Sequence, residues 1–332
     1  MSEGDNPVIK VPRDQGQKIL KELKNSGRLD SRRAIKTEAD KLIFPVKANG
    51  DYSDDDPKFR EENVKPYLRI KERLDLPDAE KEDLPENWEK IGNVLLIKLP
   101  ERLKEHKERI AEVYAEVLQA KTVMLQGKIK GIKREPEVEK IYGEETETVH
   151  LENGIRYKLD TSQLMFSSGN IDERIRMAEA VEKDDVVVDM FAGIGYFSLP
   201  MAVHGEPDEV FSLEINPTAY HYLKENIRLN SVEGTVQASQ RANRDFSYTG
   251  AERVVMGYLH QTWKYLDKAV EFLDGEGIIH YHTRSLDSKY PEDVKEELKA
   301  NLDVPYQITD IRQIKSYAPH VFHVVVDLEV VG

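Results

Sequence analysis

Val186-Val-Val-Asp-Met-Phe-Ala-Gly193-Ile-Gly195 is a run of branched apolar residues that closes on a carboxylate and then on two glycines one residue apart. The valines read as a strand buried on both faces, and the glycines as a tight turn into a helix. In open α/β sheets, ligands sit outside the carboxyl ends of the strands, where glycine lets them approach the main chain. A dinucleotide-binding fingerprint would carry a third glycine at position 198, with a pyrophosphate at the helix start. This chain has Ser198 there. Asp189 would repel phosphates and attract an ammonium group, which adenosylmethionine carries. Asp189 and Gly193 are therefore predicted to contact that cofactor.

Twenty-five residues beyond Asp189, the next strand ends in Ser212-Leu-Glu214-Ile-Asn-Pro217. A carboxylate at that corner can accept hydrogen bonds from both ribose hydroxyls; the alternative is a nicotinamide enzyme using Glu214 in the same way. Asn216-Pro217 reads as an N-cap followed by proline at the first helical position, with Ala219, Leu223 and Ile227 facing the core and Asn230 ending the helix. The third strand ends near Gln240, and Ala242-Asn243-Arg-Asp245 lies where such folds recognise adenine. Asn243 pairs with the adenine edge or forms an Asx turn; the spacing allows both.

Working outward, strands at 186–189, 210–215, 235–238, 253–258, 277–282, 311–316 and 321–330 alternate with helices, which predicts an α/β fold with a mostly parallel sheet covered on both faces. The last two strands are joined by Tyr317-Ala-Pro-His320 without a helix, so the final one is expected to be antiparallel. A seven-stranded Rossmann-like methyltransferase-type domain is thus predicted over 161–332, preceded by two small α+β domains at 1–50 and 84–160. Residues 51–83, charged and punctuated by proline, read as a linker. The first domain has a helix over 15–25 and a strand over 42–46; the second has a strand over 93–98, a helix over 101–120, and strands at 122–126 and 148–159 that complete a small mixed sheet. No chemistry is evident in 84–160.

The chain has 332 residues, 39% hydrophobic and 33% charged, which is ample for an ordered core. No run approaches the roughly 18 apolar residues of a membrane span, and the first residues lack a signal peptide's pattern, so a cytoplasmic location without membrane association is expected. The absence of cysteine excludes disulfides, thiolate metal sites and a cysteine nucleophile. A net charge of −14 argues against a non-specific coat on nucleic acid, yet local basic patches suffice for tRNA. Candidates are Arg28 with Arg32 and Arg33, Lys128 to Arg134, and Arg312 with Lys315; taken singly, each reads first as a solvated face. His280 and His282 alternate along a strand, but with no third ligand evident they read as core or supporting residues, as do His320 and His323, and no metal is predicted. Tyr196, Tyr258 and Trp263 lie near strand ends and could stack on a base, whereas Phe197 reads as core.

Met165-Phe-Ser-Ser-Gly-Asn-Ile-Asp-Glu-Arg174, Asp189-Met-Phe-Ala-Gly-Ile-Gly-Tyr-Phe-Ser198, Asn243-Arg-Asp245, Met256-Gly-Tyr258, Ile279-His-Tyr-His282 and Lys315-Ser-Tyr-Ala-Pro319 occur in this order. Together they resemble the archaeal tRNA wyosine-pathway aminocarboxypropyltransferases, sisters of the tRNA (guanine-37-N1) methyltransferases. The resemblance covers 84–332 well and the first 50 residues more loosely. It implies transfer of the 3-amino-3-carboxypropyl group of S-adenosylmethionine to the tricyclic wyosine precursor 4-demethylwyosine at position 37 of tRNA-Phe, with methylthioadenosine as by-product; no obligate protein partner is inferred. It further implies cofactor contacts from Ser167, Arg174, Glu214, Ala242 and Asn243. Relatives carry an acidic residue where this chain has Ala242, so a bond from that side chain to the adenine amino group does not carry over. The N1-methyltransferases look like Asn-x-Pro at the end of the fourth strand. Gly257-Tyr-Leu-His260 stands there in this chain, and glycine is expected to leave room for a bulky base. Arg174 is expected to clamp the carboxylate of the methionine arm through a bidentate contact; the alternative is a surface arginine on its helix.

Overall fold

The computed structural model describes residues 8–12, 15–30, 35–38, 41–47, 65–130 and 135–332, with 128–130 and 135–137 described by backbone alone. Two compact units form, Met1–Arg69 and Ile70–Gly332. In the first, β1 (Val8–Pro12), α1 (Gly16–Asn25), β2 (Lys36–Glu38) and β3 (Lys41–Pro45) make an antiparallel sheet of order β1-β3-β2 with one helix. Val11, Leu23, Phe44 and Val46 are its core.

The second unit opens with α2 (Pro66–Arg73), which begins in the last residues of the first, and α3 (Asp78–Lys81). The expected linker at 51–83 is therefore helical over those stretches, because Ile70 and Leu74, one turn apart, are buried among its charges. β4 (Glu89–Ile91) and β5 (Val94–Ile97) precede a 3-10 turn at Glu101–His106 and α4 (Lys107–Leu118); β6 (Thr122–Lys130) and β7 (Glu135–Tyr142) complete a mixed sheet of order β4-β5-β6-β7. The stretch expected as one further strand of that sheet is instead a separate hairpin, β8 (Glu147–Glu152) and β9 (Ile155–Asp160). Asn153 and Gly154 turn it with φ of 47° and 80°, a conformation that an Asn-Gly pair adopts readily.

From α5 (Ile171–Ala180) onward the elements are β10 (Val186–Asp189), α6 (Ser198–His204), β11 (Glu209–Glu214), α7 (Pro217–Leu229), β12 (Val236–Gln240), β13 (Arg253–Met256), α8 (Leu266–Leu273), β14 (Gly277–Leu286), α9 (Glu292–Asn301), β15 (Tyr306–Ala318) and β16 (Val321–Val330). Among the described residues they form a seven-stranded sheet of order β12-β11-β10-β13-β14-β16-β15. All pairs are parallel except β14–β16 and β15–β16. The order reverses between β10 and β13, which is where such sheets open a ligand crevice. One apolar layer lies on the α5, α6 and α7 face (Met177, Leu199, Leu223, Ile227) and another on the α8 and α9 face (Leu266, Phe272, Leu298). No helix among the described residues is long and apolar enough to cross a membrane.

Candidate functional site

The β10 turn is held from behind. Asp189 is fully buried; its Oδ2 accepts the Ser198 hydroxyl at 2.6 Å, its Oδ1 accepts the Phe191 amide at 3.2 Å, and Ser212 donates to Ser198 at 2.8 Å. Burial pushes its carboxyl up to about 6 against those hydrogen bonds. The expected contact with a ligand ammonium is corrected accordingly: this carboxylate has no surface on the crevice and locks β10, β11 and the start of α6 together. Gly193 and Gly195 sit at φ of 58° and 99°. A Cβ on Gly193 would fall 2.5 Å from the Tyr196 ring, and one on Gly195 2.6 Å from Leu199, so the chain's own packing demands both glycines.

Glu214 closes the other side of the turn. Its Oε2 accepts the Gly193 amide at 2.8 Å and its Oε1 the Asn216 amide at 2.6 Å. Burial raises its pKa while the amides of Asn216, Gly193 and Ile215 oppose the rise. Each oxygen keeps further acceptor capacity for a hydroxyl. α7 begins as read from the sequence, with the Asn216 side chain accepting from Thr218 and Pro217 at the first position. Ile215, 65% exposed beside Glu214, offers a bare apolar surface that the sequence reading passed over. Its signal was an isoleucine between an acidic strand end and an N-cap.

Asn243, 6% exposed, opens a 3-10 turn and donates Nδ2 to the Met190 carbonyl at 3.4 Å. Its Oδ1 is buried without a hydrogen-bond partner among the described residues. A buried acceptor in that state carries a penalty of roughly 1–3 kcal/mol until a donor arrives. Ala242 contributes no polar side-chain atom. An adenine-type ligand, with its exocyclic amine, suits this set.

Arg174 is 3% exposed on α5. Nε and Nη2 donate to the two oxygens of Glu152 at 2.6 and 2.7 Å, and Nη2 also reaches the Ser167 carbonyl at 3.1 Å. The side chain is not on the surface, and the edge expected to clamp a ligand carboxylate is already taken; only Nη1 lacks a protein partner among the described residues. Ser167 Oγ is bonded by Lys315 from β15. Arg312, placed with Lys315 as a basic patch, is instead enclosed by Glu173, Asp310 and Asp327. Arg28 is exposed, while Arg32, Arg33, Lys133 and Arg134 fall outside the described residues, as do the side chains of Lys128 and Lys130.

At the end of β13 the expected empty space at Gly257 is not there. A Cβ would lie 2.8 Å from Cε2 of Phe197, whose ring fills the position. Gly257→Asn should therefore destabilise the protein by about 1–3 kcal/mol through overpacking. Thermal unfolding checks this. Tyr258 stacks on Phe191 with centroids 5.1 Å apart at 17°, and Tyr317 Oη lies 3.2 Å from His260 Nε2. The β15–β16 tip thus reaches both Ser167 and the β13 loop.

The Phe197 ring also packs against His282, with centroids 5.0 Å apart. His280 Nδ1 is 2.6 Å from Asp327, and His282 Nδ1 is 3.0 Å from His323 Nε2. Among the described residues no group of three or more possible metal ligands occurs. Burial drives His282 down to about 3 from an ordinary 6.5. A histidine depressed in this way contributes stability that is complete above pH 6.5 and is lost as pH falls toward 3. Between pH 7 and 5 the wild type should lose about 2 kcal/mol more stability than His282→Gln. Urea unfolding followed by Trp88 and Trp263 checks this; equal pH slopes for the two proteins would remove His282 as the titrating group.

Comparison with known proteins places this geometry. Residues 148–308 match the TRM5/TYW2 methyltransferase domain, 70–146 the TYW2 N-terminal domain and 9–52 the tRNA methyltransferase 5 N-terminal domain. The tRNA(Phe) (4-demethylwyosine(37)-C(7)) aminocarboxypropyltransferase of Pyrococcus horikoshii is 44% identical over 276 residues, 82% of this chain and 99% of that one. The crystal structure of P. horikoshii TYW2 in complex with MeSAdo matches with TM-score 0.72 and 42% identity, covering 80% of this chain and 99% of that chain. That of Trm5b from Pyrococcus abyssi matches with TM-score 0.73 and 31% identity over 98% and 99%. With a fold and a length of sequence shared in this way, the chain belongs to the TRM5/TYW2 family of tRNA-modifying enzymes.

Proposed function

We propose that this chain transfers the 3-amino-3-carboxypropyl group of S-adenosylmethionine to 4-demethylwyosine at position 37 of tRNA-Phe, in the cytoplasm, and releases methylthioadenosine. One observation carries the reading: identity to the P. horikoshii aminocarboxypropyltransferase is 44% across 99% of that protein, against 33% to the N1-methyltransferase Trm5b of P. abyssi. Gly257-Tyr-Leu-His260, where the N1-methyltransferases look like Asn-x-Pro, points the same way.

The sulfonium makes each of its three attached carbons electrophilic, so the protein selects the product by orientation. Glu214 takes the ribose hydroxyls, Ile215 lies against the adenine face and Asn243 Oδ1 accepts from the adenine amine. Arg174 Nη1, beside Ser167, takes the carboxylate of the arm. The base's ring carbon then bonds to the γ-carbon of the arm as the carbon–sulfur bond breaks, its electron pair staying on sulfur, and the ring carbon's proton is released. Residues 161–332 do this chemistry, and residues 1–50 check the shape of the tRNA.

The test is to supply adenosylmethionine and tRNA-Phe bearing the precursor base, then identify the nucleoside released. Methylthioadenosine is expected. Adenosylhomocysteine would replace the reading with N1-methylation, and neither product would leave a non-catalytic RNA-binding protein. In the same assay, full turnover by a chain lacking residues 1–50 would remove that segment from tRNA recognition.

A further inference from the structure

β8 carries an inward face of unusual chemistry. Thr148, His150 and Glu152 alternate with the exposed Val149 and Leu151, so three polar side chains point where the partner strand presents Ile155, Tyr157 and Leu159. Polar groups turned into an apolar layer need hydrogen-bond partners. Two are supplied by the β4–β5 turn: the Asn93 amide donates to Thr148 Oγ1 at 3.0 Å and the Gly92 amide to His150 Nδ1 at 3.2 Å. Gly92 is at φ 55°, and a Cβ there would sit 2.3 Å from Thr148 Oγ1, so the turn is docked tightly on β8. Because His150 Nδ1 accepts a backbone N–H, neutral His150 carries its proton on Nε2, the nitrogen 3.9 Å from Glu152.

Glu152 in turn meets Arg174 fork to fork. The guanidinium lies 4.9 Å from the Phe166 ring, which is packed against His150, Tyr157 and Tyr196 at centroid distances of 4.7, 5.2 and 5.8 Å. The guanidinium is thus packed beside a ring, and its rotation is held by two carboxylate oxygens and a carbonyl. Nη1 is what remains to face a ligand. A buried ion pair contributes little stability beyond what apolar residues of the same volume would give, so fixed orientation is the property this arrangement supplies.

We propose that Glu152, backed by His150, is a positioning residue that aims Arg174 at the carboxylate of the aminocarboxypropyl arm. The proposal rests on the reading of Arg174 given above, and it links the β4–β5 turn, outside the seven-stranded sheet, to the choice of which carbon is transferred. The burial that would raise the Glu152 carboxyl is outweighed by His150 and Arg174, which hold it low and ionised.

The experiment compares two ligands on the full chain without tRNA. Adenosylmethionine has the arm; methylthioadenosine shares its adenosine and sulfur but lacks it. Glu152→Gln should weaken adenosylmethionine binding about tenfold while methylthioadenosine binding stays within about twofold, and Glu152→Asp should recover part of the loss. Equal weakening of both ligands would reduce Glu152 to a structural staple and overturn the proposal. Unchanged or tighter adenosylmethionine binding would also overturn it, since Arg174 would then need no aiming. Should Glu152→Gln not fold, His150→Ala is titrated with the same two ligands and the same signs expected. Because no transfer is measured, a failed product assay and a failed titration are separate results.

Discussion

Glu214→Ala is expected to weaken adenosylmethionine binding by two to three orders of magnitude. The carboxylate removed does two things: it satisfies the amides of Gly193 and Asn216, and, in the function proposed above, it presents acceptors to a ribose. Each half-buried amide left without a partner costs about 1–3 kcal/mol of stability in the free and the bound variant alike, whereas each hydrogen bond from a ligand hydroxyl to a charged acceptor is worth about 1.5–3 kcal/mol. The two ribose bonds, about 3–4 kcal/mol together, correspond to the stated loss of affinity. Glu214→Gln should fall between, because its amide NH2 faces a backbone donor on one side. Calorimetric titration decides the matter; a loss below about tenfold for the alanine variant would mean that the ribose is held elsewhere.

Arg174→Ala should reduce transfer at limiting adenosylmethionine by about a hundredfold or more while leaving tRNA binding nearly unchanged. The magnitude follows from losing the charge-assisted contact proposed above, at a side chain only 3% exposed. It comes with a second effect, since Glu152 would remain buried and uncompensated, at about 3–5 kcal/mol of stability. The pair of effects can be separated. Arg174→Met combined with Glu152→Gln removes both charges, so it should regain much of the stability and none of the activity. Unchanged turnover by Arg174→Ala at limiting cofactor would refute the role, and activity restored in the double variant would show that only folding was at stake.

The sheet was legible because its signal is local. Val186 to Asp189 and the final strand from Val321 to Val330 were read to the residue, since apolar runs ended by a carboxylate or a turn leave little freedom. α2 was not legible: two buried apolar residues in a stretch dominated by charge carry too weak a period. The β8–β9 hairpin did announce itself through Asn153-Gly154, but branched and aromatic residues on either side read as one continuous strand. Within the candidate site, the corner placement of Glu214 and of Asn243 followed from strand-end position. The inward turn of Asp189 did not, because a terminal residue can face the crevice or the interior with the same sequence. Gly257 shows the same limit, as a missing side chain makes room for a neighbour or for a ligand, and only packing distinguishes them. Glu152 lies 22 residues from Arg174, and a pair at that separation leaves no periodicity to read.

β15 has a consequence unrelated to catalysis. It is one of the two edge strands of the sheet, thirteen residues long, and its outer row of amides and carbonyls would be a template for a foreign strand. Its register shifts between Ile308 and Asp310, between Gln313 and Lys315, and between Ser316 and Ala318. Each shift interrupts the even spacing that an incoming chain must match, and the exposed Asp310 places charge on the same stretch. The irregular edge thus guards a long sheet against aggregation.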